Sequence, residues 1–217
     1  MEYEITGTTI TRIKEDMFNA CDELTNIEIT DNITDIGICA FMDCKKLKSV
    51  IIPSTVKNIG KSAFYNCKNL ESVTISDGVV EINDDAFREC KSLKSIVIPA
   101  SVKRIGNSAF CGCKSLESVT IRSGVTEIHN DAFIFCESLK SITIPSSVKI
   151  IGESVFLGCK NLESIFIHNG TYVGNFAFCG CTNLKNLDSD GSIYVGEFVF
   201  LECAKINPRY NDKIKFK

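Results

Sequence analysis

Apolar residues recur along this chain in one fixed figure, C-x-x-L-x-x-[IV]-x-I-x-x-x-V-x-x-I-G-x-x-A-F-x-x, which restarts every 23 residues and every 22 at the last two steps. Phenylalanine fills its position nine times, at Phe18, Phe41, Phe64, Phe87, Phe110, Phe133, Phe156, Phe178 and Phe200. Within each unit a stretch such as Ser72-Val73-Thr74-Ile75 alternates polar and branched apolar residues. That two-residue period belongs to a strand buried on one face. The spacing predicts one parallel strand per unit, with Leu, Val and Ile inward and the intervening residues outward. Asn107 and Ser108, placed just before Ala109-Phe110, predict a cap and a short helical turn between Gly106 and Cys113. Pro53, Pro99 and Pro145 stand at strand ends, where a missing N–H does least harm.

A period of about 20 to 29 residues carrying L-x-x-[IV]-x-I marks a leucine-rich solenoid. Such units bury their apolar side only by stacking on one another. No linker or change of composition interrupts the figure. Residues 1–217 therefore read as one solenoid of about nine repeats, with Met1–Lys14 as its N-terminal edge and Ala204–Lys217 as its C-terminal edge.

Ile98 to Cys113 reads IPASVKRIGNSAFCGC, which closely resembles the I-P-x-x-V-x-x-I-G-x-x-A-F-x-x-C units of the BspA-like, Treponema-type leucine-rich repeat family. The resemblance spans about residues 10–206. It implies an α/β right-handed solenoid of horseshoe form, with one parallel strand and a short helical turn per repeat. It also implies protein binding, with surface adhesion in many members. The last units are one residue shorter than that pattern.

Charge and cysteine usage narrow the chemistry. A net charge of -3 and a pI near 5.5 offer no basic footprint for nucleic acid. No stretch approaches the roughly 18 apolar residues of a membrane span. MEYEITGTTI has neither the basic start nor the apolar core of a leader peptide. The chain as it reads is expected in the cytoplasm, or at the cell surface or secreted if a longer precursor carried a leader. Nine of the twelve cysteines fall in the repeat register, and none forms a C-x-x-C pair. Zinc spacing is therefore missing, and no metal or cofactor is expected. Parallel stacking points the Cβ bonds of the column the same way, which suits buried thiols better than disulfides. Cys39, Cys111 and Cys179 lie outside the column and are expected at the surface. His129 occupies a position held elsewhere by Gly60, Gly106 and Gly152, and His168 ends a strand. Neither joins a nucleophile–base–acid set, so no catalytic residue and no enzymatic activity are expected.

The residue after the repeat leucine alternates in sign along Lys48, Glu71, Lys94, Glu117, Lys140, Glu163 and Lys185. With neighbouring strands about 4.8 Å apart, these charges are expected to pair across rungs. The three prolines are spaced by 46 residues, as are Asn32, Gly78, Gly124 and Gly170, which points to a duplicated two-unit cassette.

Outward strand positions, Thr120 and Thr143 among them, are expected to form a small-residue face open to partners. Near the C-terminus the figure breaks: Tyr172-Val-Gly-Asn-Phe176 is echoed by Tyr194-Val-Gly-Glu-Phe198, and both phenylalanines replace a serine. With Phe166 and His168 they enrich one end in aromatics. Two readings of Phe176 and Phe198 are open, a cap closing the core and an interface. The expected function is a non-enzymatic protein-interaction scaffold, adhesin-like at a cell surface. The alternative is an intracellular repeat protein that self-assembles through its ends or binds a cytosolic partner. Neither nucleic acid nor membrane insertion is expected.

Overall fold

A computed structural model describes residues 2–4, 11–206 and 213–216. The remaining parts of the two expected edges, Met1, 5–10, 207–212 and Lys217, lie outside the described residues. The chain winds as a parallel-strand solenoid of about nine rungs, and each rung carries two strands, not the single one expected. The first strands are β1 (Glu2–Glu4), β3 (Asn26–Glu28), β5 (Ser49–Ile52), β7 (Ser72–Ile75), β9 (Ser95–Ile98), β11 (Ser118–Ile121), β13 (Ser141–Thr143), β15 (Ser164–Phe166) and β17 (Asn186–Asp188). The second strands are β2 (Arg12–Ile13), β4 (Asp35–Ile36), β6 (Asn58–Ile59), β8 (Glu81–Ile82), β10 (Arg104–Ile105), β12 (Glu127–Ile128), β14 (Ile150–Ile151), β16 (Tyr172–Val173) and β18 (Ile193–Val195), with β19 (Ile214–Phe216) added beyond the last. The second strands form one ten-stranded sheet, while the first strands divide into β1-β3-β5-β7, β9-β11-β13 and β15-β17. Two-residue strands around a buried V-x-x-I pair are too short to show alternation, which is why the sequence hid them.

The third side of each rung is an arc, and here the expected helical turn is absent. In the fifth rung Ser108 and Gly112 have φ of 52° and 70°, and Ser62 and Asn66 of the third rung have 55° and 59°. Left-handed residues four apart reverse the direction of the intervening peptides. Accordingly the N–H groups of Ser108, Phe110 and Gly112 donate to carbonyls of the next rung, at Asn130, Ala132 and Ile134 (2.9, 2.8 and 2.9 Å). Those of Ala109, Cys111 and Cys113 turn back to Gly106, Ser108 and Phe110 (3.3, 3.0 and 3.2 Å). A helix directs all its N–H groups along its own axis; this arc sends half of them to its neighbour. Asn, Asp, Ser and Gly dominate these positions because they tolerate the left-handed region best.

The core is a set of columns. The nine repeat phenylalanines stack face to face from Phe18 to Phe200, with centroids 5.0 to 5.8 Å apart and planes within 8°. Beside them run the cysteines, buried as expected from Cys44 to Cys181. Each thiol donates to the phenylalanine carbonyl of the preceding rung, as in Cys67 to Phe41 (3.1 Å), Cys113 to Phe87 (3.2 Å) and Cys159 to Phe133 (3.2 Å). A small apolar side chain with a weak donor is what this column needs. Of the three cysteines outside the column, Cys111 is buried, contrary to expectation, and Cys39 and Cys179 are half-buried.

The 46-residue cassette has a steric cause. Gly78 has φ of 145°, and a Cβ there would lie 1.9 Å from the carbonyl oxygen of Ser54, in the proline turn one rung before. Gly124 stands in the same relation to Ala100 O. The turns after Pro53 and Pro99 thus require glycine in the next rung, whereas Gly170, which follows the Pro145 turn, meets no such contact.

Candidate protein-binding surface

The outward positions of the first strands form the columns expected. Ser49 pairs with Ser72, Ser118 with Ser95 and Ser141, and Thr120 with Val97 and Thr143. Thr120 and Thr143 are exposed neighbours on this face. Of the alternating charges, Glu117–Lys140 (2.8 Å) and Glu163–Lys185 (3.5 Å) close. The hydrogen bond from Lys140 holds the Glu117 carboxyl below its usual range, and Lys94 adds only a weaker field. Pairs this exposed contribute little to stability.

At the end of this face Phe166 is 40 % exposed and packs edge-on against His168, with centroids 4.9 Å apart. The His168 ring meets Asp190 at 2.8 Å through Nδ1. That bond first, and the Asn169 N–H second, depress the Asp190 carboxyl below its ordinary value. His168 thus braces the turn after β15. His129 meets Glu127 at 3.0 Å. Among the described residues no group of three or more His, Cys, Asp and Glu gathers in the manner of a metal site.

The second-strand face changes character along its length. Its outward column reads Arg12, Asp35, Asn58, Glu81, Arg104 and Glu127, with ion pairs at Arg12–Asp35 (3.7 Å) and Arg104–Glu81 (3.8 Å). The same column then becomes Ile150, Tyr172 and Tyr194, with the two tyrosines side by side in register.

The arc changes in the same rungs. Phe176 and Phe198 take the first left-handed position, with φ of 56° and 54°, and their rings stack 5.3 Å apart. They are 36 % and 58 % exposed, while Phe178 and Phe200 complete the core column. The cap reading therefore fails, because both rings point away from the core. Sequence reasoning missed a third such residue, Phe135. It occupies the second left-handed position (φ 57°), held in neighbouring rungs by Gly112 and Gly158, and is 46 % exposed. Its ring lies over Gly158, where a Cβ would come within 2.6 Å of it. A large apolar residue between Gly112 and Gly158, in a column that otherwise holds Ala, Asp, Asn, Glu and Gly, was the signal available. Placing a bulky residue in the left-handed region costs roughly 1–2 kcal/mol, and none of the three offsets this by core burial. The eight residues singled out from sequence thus divide among three faces: Thr120, Thr143, Phe166 and His168; Tyr172 and Tyr194; Phe176 and Phe198.

Comparison with known proteins identifies the class. The chain belongs to the family described as BspA type Leucine rich repeat region, matched in six copies over residues 3–117 and 80–207. No curated protein matches it. Among solved structures it is similar to the T. pallidum Leucine Rich Repeat protein, with 27 % identity and a TM-score of 0.63 over 87 % of this chain and 80 % of that one. A leucine rich cell surface protein from Faecalibacterium prausnitzii shares the fold, with 23 % identity and a TM-score of 0.57 over 100 % of this chain and 87 % of that one. Leucine-rich repeat solenoids serve as binding scaffolds through extended surfaces.

Proposed function

We propose that residues 1–217 form one non-enzymatic protein-interaction solenoid of adhesin type. The observation that carries this reading is the onset of exposed aromatic and aliphatic residues on the second-strand face and the arc in the last rungs, at Ile150, Tyr194, Phe176 and Phe198, with Phe166 exposed on the first-strand face beside them. In earlier rungs the second-strand column and the first left-handed column of the arc carry small, polar or charged residues, whereas the first-strand column of Phe166 already exposes Ile51 and Val97. Aromatic anchors surrounded by near-neutral contacts are the usual anatomy of a protein interface. The unbroken phenylalanine ladder keeps these anchors at fixed separations, so little ordering accompanies docking. The alternative, an intracellular repeat protein, draws on one specific feature: all twelve cysteines are free thiols.

Affinity capture on the immobilised full chain, followed by titration of the purified captured protein, tests the reading. Phe166→Ala with Thr120→Arg and Thr143→Arg is expected to weaken binding at least about tenfold. No specific capture, or unchanged affinity in these variants and in those of the arc, refutes it. Antibody labelling of intact against permeabilised cells separates the surface role from the intracellular one.

A further inference from the structure

Four positions of each arc lie outside the core columns: the residue three before the repeat phenylalanine, the two left-handed positions, and the residue directly after the phenylalanine, which is buried in the fifth rung as Cys111. In the fourth rung these are Asp84, Asp85, Arg88 and Glu89, where Arg88 is bound to Asp85 at 3.1 Å. From the sixth rung to the ninth the same positions gather seven apolar side chains, with Phe135, Phe176, Phe198 and Leu201 the exposed ones. They also gather four acids, Asp131, Glu153, Glu197 and Glu202, and no base. The acids act on one another. Burial and then the charge of Glu153 push the Asp131 carboxyl up, and Glu202 adds to the burial that raises the Cys179 thiol.

Phe135, Phe176 and Phe198 stand where the backbone favours Ser, Asn, Asp or Gly, and the core gains nothing from them. Their placement against local preference is an observed strain at an exposed surface, the kind that marks function. An apolar patch ringed by four acids, of which Asp131 is partly offset by Arg88 of the fourth rung, repels a second copy of itself and favours a cationic ligand.

We propose that the arc of rungs six to nine docks a protein segment carrying aromatic or aliphatic anchors flanked by Lys or Arg. This deepens the scaffold reading and rests on it, by assigning the partner's chemistry and a face distinct from the first-strand sheet. The stacked rings of Phe176 and Phe198 would take the anchors, while Glu153, Glu197 and Glu202 would take the cations.

The test is selection of a random peptide display library on the immobilised full chain at low salt, with fluorescence titration of the selected peptides. Variants borrow residues from neighbouring rungs, so folding is retained: Phe135→Gly from Gly158, and Phe176→Ser and Phe198→Ser from Ser154. Unchanged far-UV circular dichroism confirms this. The expected result is enrichment of apolar sequences flanked by Lys or Arg, with affinity falling at least about tenfold in the triple Phe variant. Glu153→Gln, Glu197→Gln and Glu202→Gln together are expected to flatten the salt dependence. Four results would overturn the proposal: no enrichment, acidic sequences, selected peptides that bind the triple Phe variant equally well, or a concentration-dependent dimer by sedimentation that dissociates in that variant. If a captured partner is lost from the Phe166 and Thr variants yet held by the arc variants, the arc inference falls and the scaffold reading stands.

Discussion

Removing one ring from the middle of the phenylalanine ladder measures how the solenoid is held together. Phe110 is fully buried and stacks on Phe87 at 5.3 Å and on Phe133 at 5.2 Å. Burying such a side chain is worth about 1.5–3 kcal/mol. Two stacked contacts add about 0.5–1.5 kcal/mol each. The sum, about 2.5–6 kcal/mol, brackets the roughly 3–5 kcal/mol found for Phe→Ala in packed cores. Phe110→Ala is expected to cost about 4 kcal/mol. Phe200 is only partly buried and stacks on one neighbour, at 5.8 Å. Phe200→Ala is therefore expected to cost about 1–2 kcal/mol. Urea unfolding of the full chain, followed by far-UV circular dichroism at 25 °C, supplies both values. Because each rung touches only its neighbours, the central variant is also expected to broaden the transition or split it. A cost below about 1 kcal/mol for Phe110→Ala, or equal costs for the two variants, would refute the ladder as the source of cohesion.

Three further outcomes follow from the geometry. Gly78→Ala is expected to cost more than about 3 kcal/mol, because its Cβ meets backbone, while Gly170→Ala is expected to cost only about 1 kcal/mol of conformational strain; Gly170 has φ of 76° with nothing within 4 Å. Equal thermal shifts would show that the proline–glycine turn contact is not the constraint. Burial pushes the Cys203 thiol up to about 11 and the Cys44 thiol up to about 12. A raised thiol leaves stability intact below the unfolded value near 8.5 and removes it as pH climbs toward the folded value. The eight buried cysteines are therefore expected to resist a thiol reagent at pH 8 until urea is added, and the chain to unfold in base; prompt reaction of all twelve would contradict this. Asp190, whose carboxyl is held down by His168, contributes stability above the ordinary carboxylate pKa and loses it as pH falls. His168→Ala is expected to return that carboxyl upward in a carbon-detected NMR titration, and an unmoved midpoint would refute the pairing.

Much of the fold was legible because each rung repeats one environment. The columns of Phe, Leu and Cys and the outward register of Ser49, Ser72 and Thr120 follow from period and alternation alone. The arc was not legible. Asn107-Ser108-Ala109-Phe110 has the composition of a helix start, but Ser108 takes a left-handed conformation that only the stack above it specifies. The alternating charges were read correctly as a cross-rung column, yet the exposed Lys94 side chain makes no close ion pair. Exposed pairs gain too little to fix long side chains. Among the candidate binding residues, the aromatic break at Phe176 and Phe198 was visible in sequence. That it lies on a different face from Phe166 and Thr143 was visible only once the rung had three sides.

The claim that matters most is that exposed aromatics of the last rungs recognise a protein. Isothermal titration calorimetry of a captured, purified partner against the wild-type chain and the Phe135→Gly, Phe176→Ser, Phe198→Ser variant tests it directly. The account predicts an affinity at least about tenfold weaker, about 1.4 kcal/mol, with unchanged unfolding behaviour. Equal affinity in the two proteins would contradict it.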